Sequence, residues 1–280
     1  MPQLQRMDGS ALPGSFTLVA GNVLLFKVSG FGRDKKHLVL SSSNANVFTV
    51  QVLKADRKNT EQQLRLVVGK VTKSTTARLK VATAGNEDQP GLAVEVTVEP
   101  LLTLPAKGTE SGAVCRVLLA ENITPDGNKF QSIAEAKSSM QWMRSVLENR
   151  RDSDKPSRFK IKATRPTLLD VIKAPLTIEG FEDYPEVADE QHKLLVQIME
   201  SANDGTGGKF ELYRQFVRAA IAVADESDVG NPPTGLLGWR TTGRGSPGDG
   251  FERYGDKVGN TFFVLRPPAP KKAEPKNAPV

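Results

Sequence analysis

The chain has 280 residues, of which 38% are hydrophobic and 25% charged, with a formal net charge of +6. That balance fits a soluble globular protein of one large or two ordinary domains, and it excludes a low-complexity or fibrous chain. No apolar run approaches the roughly 18 residues of a membrane span, and no basic stretch is interleaved with aromatics as a nucleic-acid stacking surface requires. Neither membrane insertion nor a nucleic-acid partner is expected. A single cysteine, Cys115, excludes an internal disulfide and a cysteine zinc site, and His37 and His192 are too few for a histidine metal site. No metal or other cofactor is expected.

Residues 1–12 read as a flexible lead-in. The opening MPQLQRMDGSALPGS has no basic segment followed by an apolar one, so the protein is expected to be made in the cytoplasm without a signal peptide. Residues 13–100 are strand-like throughout. VLLFKVSG, HLVLSSS, VFTVQVL, LRLVVGKV, ARLKVAT and LAVEVTVEP are short β-branched runs divided by Gly, Asn, Asp and Ser clusters. Val94, Val96 and Val98 alternate with Ala93, Glu95, Thr97 and Glu99, which puts one face in a core and one in water. Such a series predicts a β-sandwich, and the lack of a Cys…Trp…Cys pattern excludes an antibody-type domain.

A Pro-, Gly- and polar-rich linker is expected at 101–111, after which the period changes. Val114, Val117, Leu118 and Glu121 fall at helical spacing, and Ala136, Met140, Met143 and Leu147 repeat it behind a polar turn. Ser132 and Glu135 are spaced as a capping box. A short helix is expected at 168–172, longer ones at 187–199 and 210–224, then a Gly- and Pro-rich hairpin or lobe ending in VGNTFFVL. The Pro- and Lys-rich residues 267–280 have almost nothing to bury and read as a disordered tail.

Glu121 is the anomaly. A carboxylate on the apolar side of a helix is costly to bury unless it is paired, or stays neutral through a raised pKa. A carboxylic acid neutral near pH 7 is what a glycosidase uses to protonate a leaving glycosidic oxygen. The plain alternative is that Glu121 caps the helix end or pairs with an arginine such as Arg144 or Arg150. Cys115 with His192 suggests a cysteine peptidase only superficially, because Cys115 lies in an apolar run and reads as core.

Two resemblances add to this. TLVAGN, VLSSSNANVFTV and VEVTVEP resemble bacterial Ig-like (group 2) modules, whose usual role is spacing, docking or binding. The Ala120-Glu121 dipeptide, the Val146–Arg150 stretch, Asn231–Leu236, Trp239 and Val258–Phe263 resemble SleB-type cell-wall hydrolases, the spore-cortex-lytic group. The family's G-Q-F-like motif is represented here by Glu179-Gly180-Phe181 without the glutamine, and Thr261 stands where the family has histidine.

Together the resemblances imply a multidomain fold: an N-terminal all-β Ig-like sandwich, then a C-terminal mainly-α lysozyme-like domain with a small β lobe at 112–266. They imply peptidoglycan as substrate, cleaved by a muramidase or lytic transglycosylase with Glu121 as general acid and base. Phe181, Tyr184, Thr234, Trp239 and Asn260 are the expected substrate-binding residues, the aromatics because they sit in Gly- or Pro-rich loops where rings stack on sugars; the alternative for them is a ring that plugs a small lobe. A lytic transglycosylase works with one acid, whereas a muramidase normally uses two; Asp126, Glu135, Glu179, Glu182 and Asp183 are available as the second.

A wall-cleaving domain, an attached sandwich and no signal peptide look similar to an antibacterial effector of type VI secretion. Such an effector acts in a target cell's periplasm, with an immunity protein and a secretion-system carrier as partners. The alternative is a non-enzymatic binding or structural protein of a phage or cell-surface assembly.

Overall fold

The alternation of the first hundred residues resolves into two four-stranded sheets. One has the order β1-β3-β6-β5, from Gln3–Arg6, Val23–Ser29, Glu61–Val68 and Phe48–Ala55. The other has the order β2-β8-β7-β4, from Ser15–Val19, Leu92–Glu99, Thr75–Thr83 and Leu38–Ser42. Inward residues of both sheets, among them Phe26, Phe48, Leu64, Leu66, Leu79 and Val96, form a shared core with no solvent exposure. Each such side chain contributes about 1.5–3 kcal/mol on leaving water. Residues 3–6, expected as lead-in, pair with β3 from Gln3↔Ser29 to Arg6↔Phe26. The computed structural model describes residues 3–30, 38–55, 61–85, 88 and 90–266; the expected tail at 267–280 and His37 lie outside them.

The remaining elements are α1 (Glu110–Glu121), α2 (Ile133–Arg151), a 3-10 turn (Pro156–Phe159), α3 (Leu168–Ile172), α4 (Asp189–Asn203) and α5 (Phe210–Ala224). After them come β9 (Leu236–Thr241), β10 (Phe251–Lys257) and β11 (Asn260–Leu265), in the sheet order β10-β11-β9.

The expected division into an all-β Ig-like sandwich and a separate, mainly-α lysozyme-like domain does not hold. Of the two compact units, one joins residues 1–103 to 197–214, so the N-terminal strands share their unit with the end of α4 and the start of α5. The other comprises 104–196 and 215–280 and combines helices with a full three-stranded sheet. Polar ties explain why the helical segment belongs with the strands. The Asn203 amide accepts from Leu102 N at 2.9 Å and donates to Leu102 O at 3.0 Å, and the Asn22 amide donates to Asn203 O at 3.2 Å. Arg214 donates to Pro100 O at 3.0 Å and pairs with Glu99. The helical period of α4 and α5 carries no record of these bonds, so the pattern alone assigns them to a helical domain.

In the second unit α1 buries all of its middle turns except Arg116, which is half-buried. Ala113, Val114, Cys115, Val117, Leu118 and Leu119 are all fully buried, as in a helix surrounded by core. Thr109 caps it by accepting from Gly112 N at 3.0 Å. Gly112 is there for space: an added Cβ would lie 1.9 Å from Ala106 O. Gly112→Ala should therefore lower the thermal midpoint, by roughly 1–3 kcal/mol of overpacking, although the same change at an open helix site stabilises. A melt showing equal or greater stability would refute this packing.

Candidate active site

Glu121 is the last residue of α1, and the chain beyond it is pinned. The Asn122 amide donates to Ala136 O at 2.9 Å, which ties the end of α1 to the start of α2. The Asn260 amide donates to the main-chain carbonyl of Glu121 at 3.3 Å, satisfying one of the acceptors that a helix C-terminus leaves open. The Glu121 carboxylate accepts from the Trp239 indole, Nε1 to Oε2 at 3.1 Å. β9 and β11 deliver the two donors side by side, with Trp239 opposite Phe262 and Thr241 opposite Asn260.

The environment keeps this acid protonated to higher pH than usual. Burial is the largest cause; the Trp239 hydrogen bond opposes it, and the negative charge of Glu179 reinforces it. Its place at the negative end of a helix dipole works in the same direction as burial. No ion pair to Glu121 occurs among the described residues, so the alternative of an arginine partner is not met. Arg144 pairs instead with Glu148 and Glu226. Arg150 donates Nε to Leu237 O at 2.8 Å, with its guanidinium carbon 5.3 Å from the Phe159 ring centroid and 5.8 Å from that of Trp239. Burial lowers the Arg150 pKa to about 10, which leaves it cationic at neutral pH. The neighbouring Asn149 amide donates to Leu236 O at 2.8 Å, so the Asn-Arg pair at the end of α2 grips two successive carbonyls of β9.

Of the expected site residues, the structure brings together Glu121, Trp239 and Asn260. Trp239 is only 9% exposed and serves as a hydrogen-bond donor to the acid rather than as an open stacking face. Phe181 and Tyr184, expected to bind substrate, present no open ring face. They are 0% and 2% exposed, stack on each other at 6.3 Å, and the Tyr184 hydroxyl donates to Lys107 O at 2.7 Å. An aromatic ring buried on both faces has nothing to offer a sugar. Thr234 is exposed, and no described hydrogen bond joins it to Glu121.

Glu179, exposed on the loop after α3, is the carboxylate that acts on Glu121. Its turn is held from α4, where the Gln191 amide donates to Glu179 O at 3.2 Å, and by Glu182, which accepts from Gly180 N at 2.9 Å. Gly180 has φ +82°, and a Cβ there would meet the Gln191 amide at 2.6 Å. A glutamine thus does lie against the Gly180-Phe181 turn, supplied by another element. Nothing in the sequence pointed to Gln191.

A cleft of about 430 Å³ is lined among others by Lys129, Gln131, Glu135, Asp256 and Lys257, and Glu121 is not among its lining residues. At its edge the Gly259 position approaches Ile123 and Lys129 to within 3.1 and 3.2 Å of a notional Cβ. The Cys115 thiol is fully buried and pushed up to about 12, so it is protonated and inaccessible, and His192 is exposed on α4. No group of three or more His, Cys, Asp or Glu placed to hold a metal occurs among the described residues. Nor is any described helix long and apolar enough to cross a membrane.

No family model matches the sequence, and no curated protein matches it. Among solved structures, domains 4 and 5 of the S-layer protein SbsC share 13% identity over 32% of this chain and 42% of that one, with a TM-score of 0.23. The cysteine protease inhibitor EhICP2 from Entamoeba histolytica shares 13% over 31% and 84%, TM-score 0.24. A chain of the Titin M10–Obscurin like 1 Ig complex shares 17% over 38% and 97%, TM-score 0.23. The chain spans less than half the length of the S-layer structures it matches. Likeness at this level carries no argument about fold or function.

Proposed function

We propose that the protein cleaves the glycan strands of peptidoglycan, with Glu121 as the general acid. The observation that carries this reading is a half-buried carboxyl, without an ion-pair partner among the described residues, whose pKa is raised by desolvation while one indole N–H fixes an oxygen of it. In the proposed reaction the Glu121 carboxyl protonates the glycosidic oxygen as the C–O bond breaks. The resulting carboxylate then takes a proton from the incoming nucleophile, and the Trp239 hydrogen bond stabilises it in that interval. Two nucleophiles are chemically open. The muramoyl 6-hydroxyl needs no further protein group, whereas water is better served by a second carboxylate on the opposite side of the sugar. Glu179 is the residue that would supply it. The sequence resemblance at Ala120-Glu121, Asn149-Arg150 and Trp239 supports the choice of substrate. That substrate lies outside the cytoplasmic membrane, so the proposal carries with it delivery into a periplasm, and an immunity protein to guard the producer.

The test is incubation of purified protein with peptidoglycan sacculi and mass spectrometry of the soluble products. Anhydro-muropeptides would identify the 6-hydroxyl as nucleophile, and reducing ends would identify water. Absence of any release would overturn the enzymatic reading in favour of a binding or structural role.

A further inference from the structure

The acid does not stand alone on its indole, because the indole is itself held. Trp239 lies on β9, and Arg150 acts on that strand around it. Arg150 Nε donates to Leu237 O at 2.8 Å, fixing the backbone two residues before the tryptophan. The same guanidinium stands between two rings, with its carbon 5.8 Å from the centroid of Trp239 and 5.3 Å from that of Phe159. Gly238 lies between these contacts, and a Cβ built there would be 3.6 Å from Arg150 Nη2 and 3.2 Å from Pro247. Arg150 is almost wholly buried, and no described carboxylate pairs with it. A desolvated guanidinium with one carbonyl acceptor is expensive to keep, and an electron-rich ring face is a site where such a cation is partly recompensed. The arrangement stiffens Trp239 in one orientation, the one in which its Nε1–H meets the Glu121 carboxylate.

We infer that Arg150 is a positioning residue for Glu121, acting through Trp239: clamped to β9 and stacked between Phe159 and Trp239, it locks the indole that donates to the acid. This rests on the proposed role of Glu121, but the contact chain Phe159–Arg150–Trp239–Glu121 exists whatever the substrate. Among the described residues the charged group that acts on the Glu121 carboxyl is Glu179, from the loop after α3; Arg150 meets the ring of Trp239, and Asn260 on β11 reaches only the main chain of Glu121. Arg150 could act on the acid by its charge or by holding the indole, and these have different signatures.

The experiment is an NMR titration of the Glu121 side-chain carboxyl in the full chain, its resonance assigned by loss in Glu121→Gln. Indole N–H exchange of Trp239 is recorded in parallel. Neither readout needs activity, so failure of the cleavage reading and failure of this inference are distinguishable. Trp239→Phe removes the donor, and its midpoint should move upward. Arg150→Met should move it upward as well and speed Trp239 N–H exchange, and Arg150→Lys, which keeps the charge without the planar face, should restore little. In the Trp239→Phe background Arg150→Met should add no further shift. Phe159→Leu, which removes one wall of the stack and leaves the cation, is the variant to use if Arg150→Met does not fold; it should reproduce the faster exchange and the upward shift. Equal shifts from Arg150→Met with and without the indole would show direct charge action and overturn the inference. An unchanged midpoint and exchange rate in folded Arg150→Met or Phe159→Leu would overturn it too.

Discussion

Glu121→Gln should slow muropeptide release by about 10²–10⁴-fold, the usual worth of a positioned general acid, while making the folded protein more stable at neutral pH. The two signs come from one cause. The amide is nearly isosteric with the neutral carboxyl and can still accept from Trp239 Nε1, but it cannot give up a proton. The stability effect follows from proton linkage. The folded pKa lies above the ordinary value of 4.5 because burial, first of all, disfavours the charge. The folded state therefore holds its proton more tightly, and the associated stability is fully present below 4.5 and lost as pH rises through the folded pKa. The glutamine variant never undergoes that loss. Thermal midpoints of the two proteins should coincide in acid and separate in favour of Glu121→Gln as pH rises. A variant that loses stability at neutral pH would mean that the carboxylate is a structural anion, and retention of full release would remove it from the chemistry.

Arg144→Ala should be strongly destabilising in the second unit, by about 2–5 kcal/mol, because it leaves two buried carbonyls without a donor. Its guanidinium donates at 2.8 Å to Glu148 Oε1, Val223 O and Ala224 O, and at 2.6 Å to Glu226 Oε1. Two of these acceptors are terminal carbonyls of α5, so the side chain is that helix's C-cap as well as an ion-pair partner. Removing it strands carbonyls that no water easily reaches. Glu226 is 67% exposed on its side chain, so Glu226→Gln should cost within about 1 kcal/mol of nothing. Arg144→Lys should recover little, because one ammonium cannot span acceptors arranged around a planar fork. Denaturant midpoints followed by helical circular dichroism would decide the order. If Arg144→Ala proved no worse than Glu226→Gln, the capping role would be gone.

Sequence and structure agree where a local rule is sufficient. Val94, Val96 and Val98 announce a half-buried strand, and they are the inward residues of β8. Ser132 announces a helix start and accepts from Glu135 N at 3.2 Å, although Glu135 turns its own carboxylate to Lys257 instead of closing the box. Agreement ends where partners are far apart in the chain. Arg144 and Arg150 look alike in sequence as prospective partners for a buried acid, yet one caps α5 and the other grips β9. Phe181 and Tyr184 sit in a polar, Pro-bearing loop, where a ring can stack on a sugar or plug a lobe, and only the fold shows both rings turned inward. The assignment of α4 and α5 to a helical domain fails for a similar reason, since an amphipathic face does not specify which apolar surface will cover it. Glu121 was legible because it breaks a pattern; Trp239 as its donor was not, because a tryptophan on a strand declares a ring and not the direction of its N–H.

The burial of the middle turns of α1 has one more bearing on the acid. A helix whose middle turns, from Gly112 to Leu119, are packed into the core frays there only by opening that core, so the amides of those turns belong among the last to exchange with water. The backbone leading up to the carboxyl, through Leu119, is therefore not a part that breathes to admit a ligand. Whatever adjustment the site makes falls to the pieces that lean on α1 from outside, the β9 strand and the Glu179 turn.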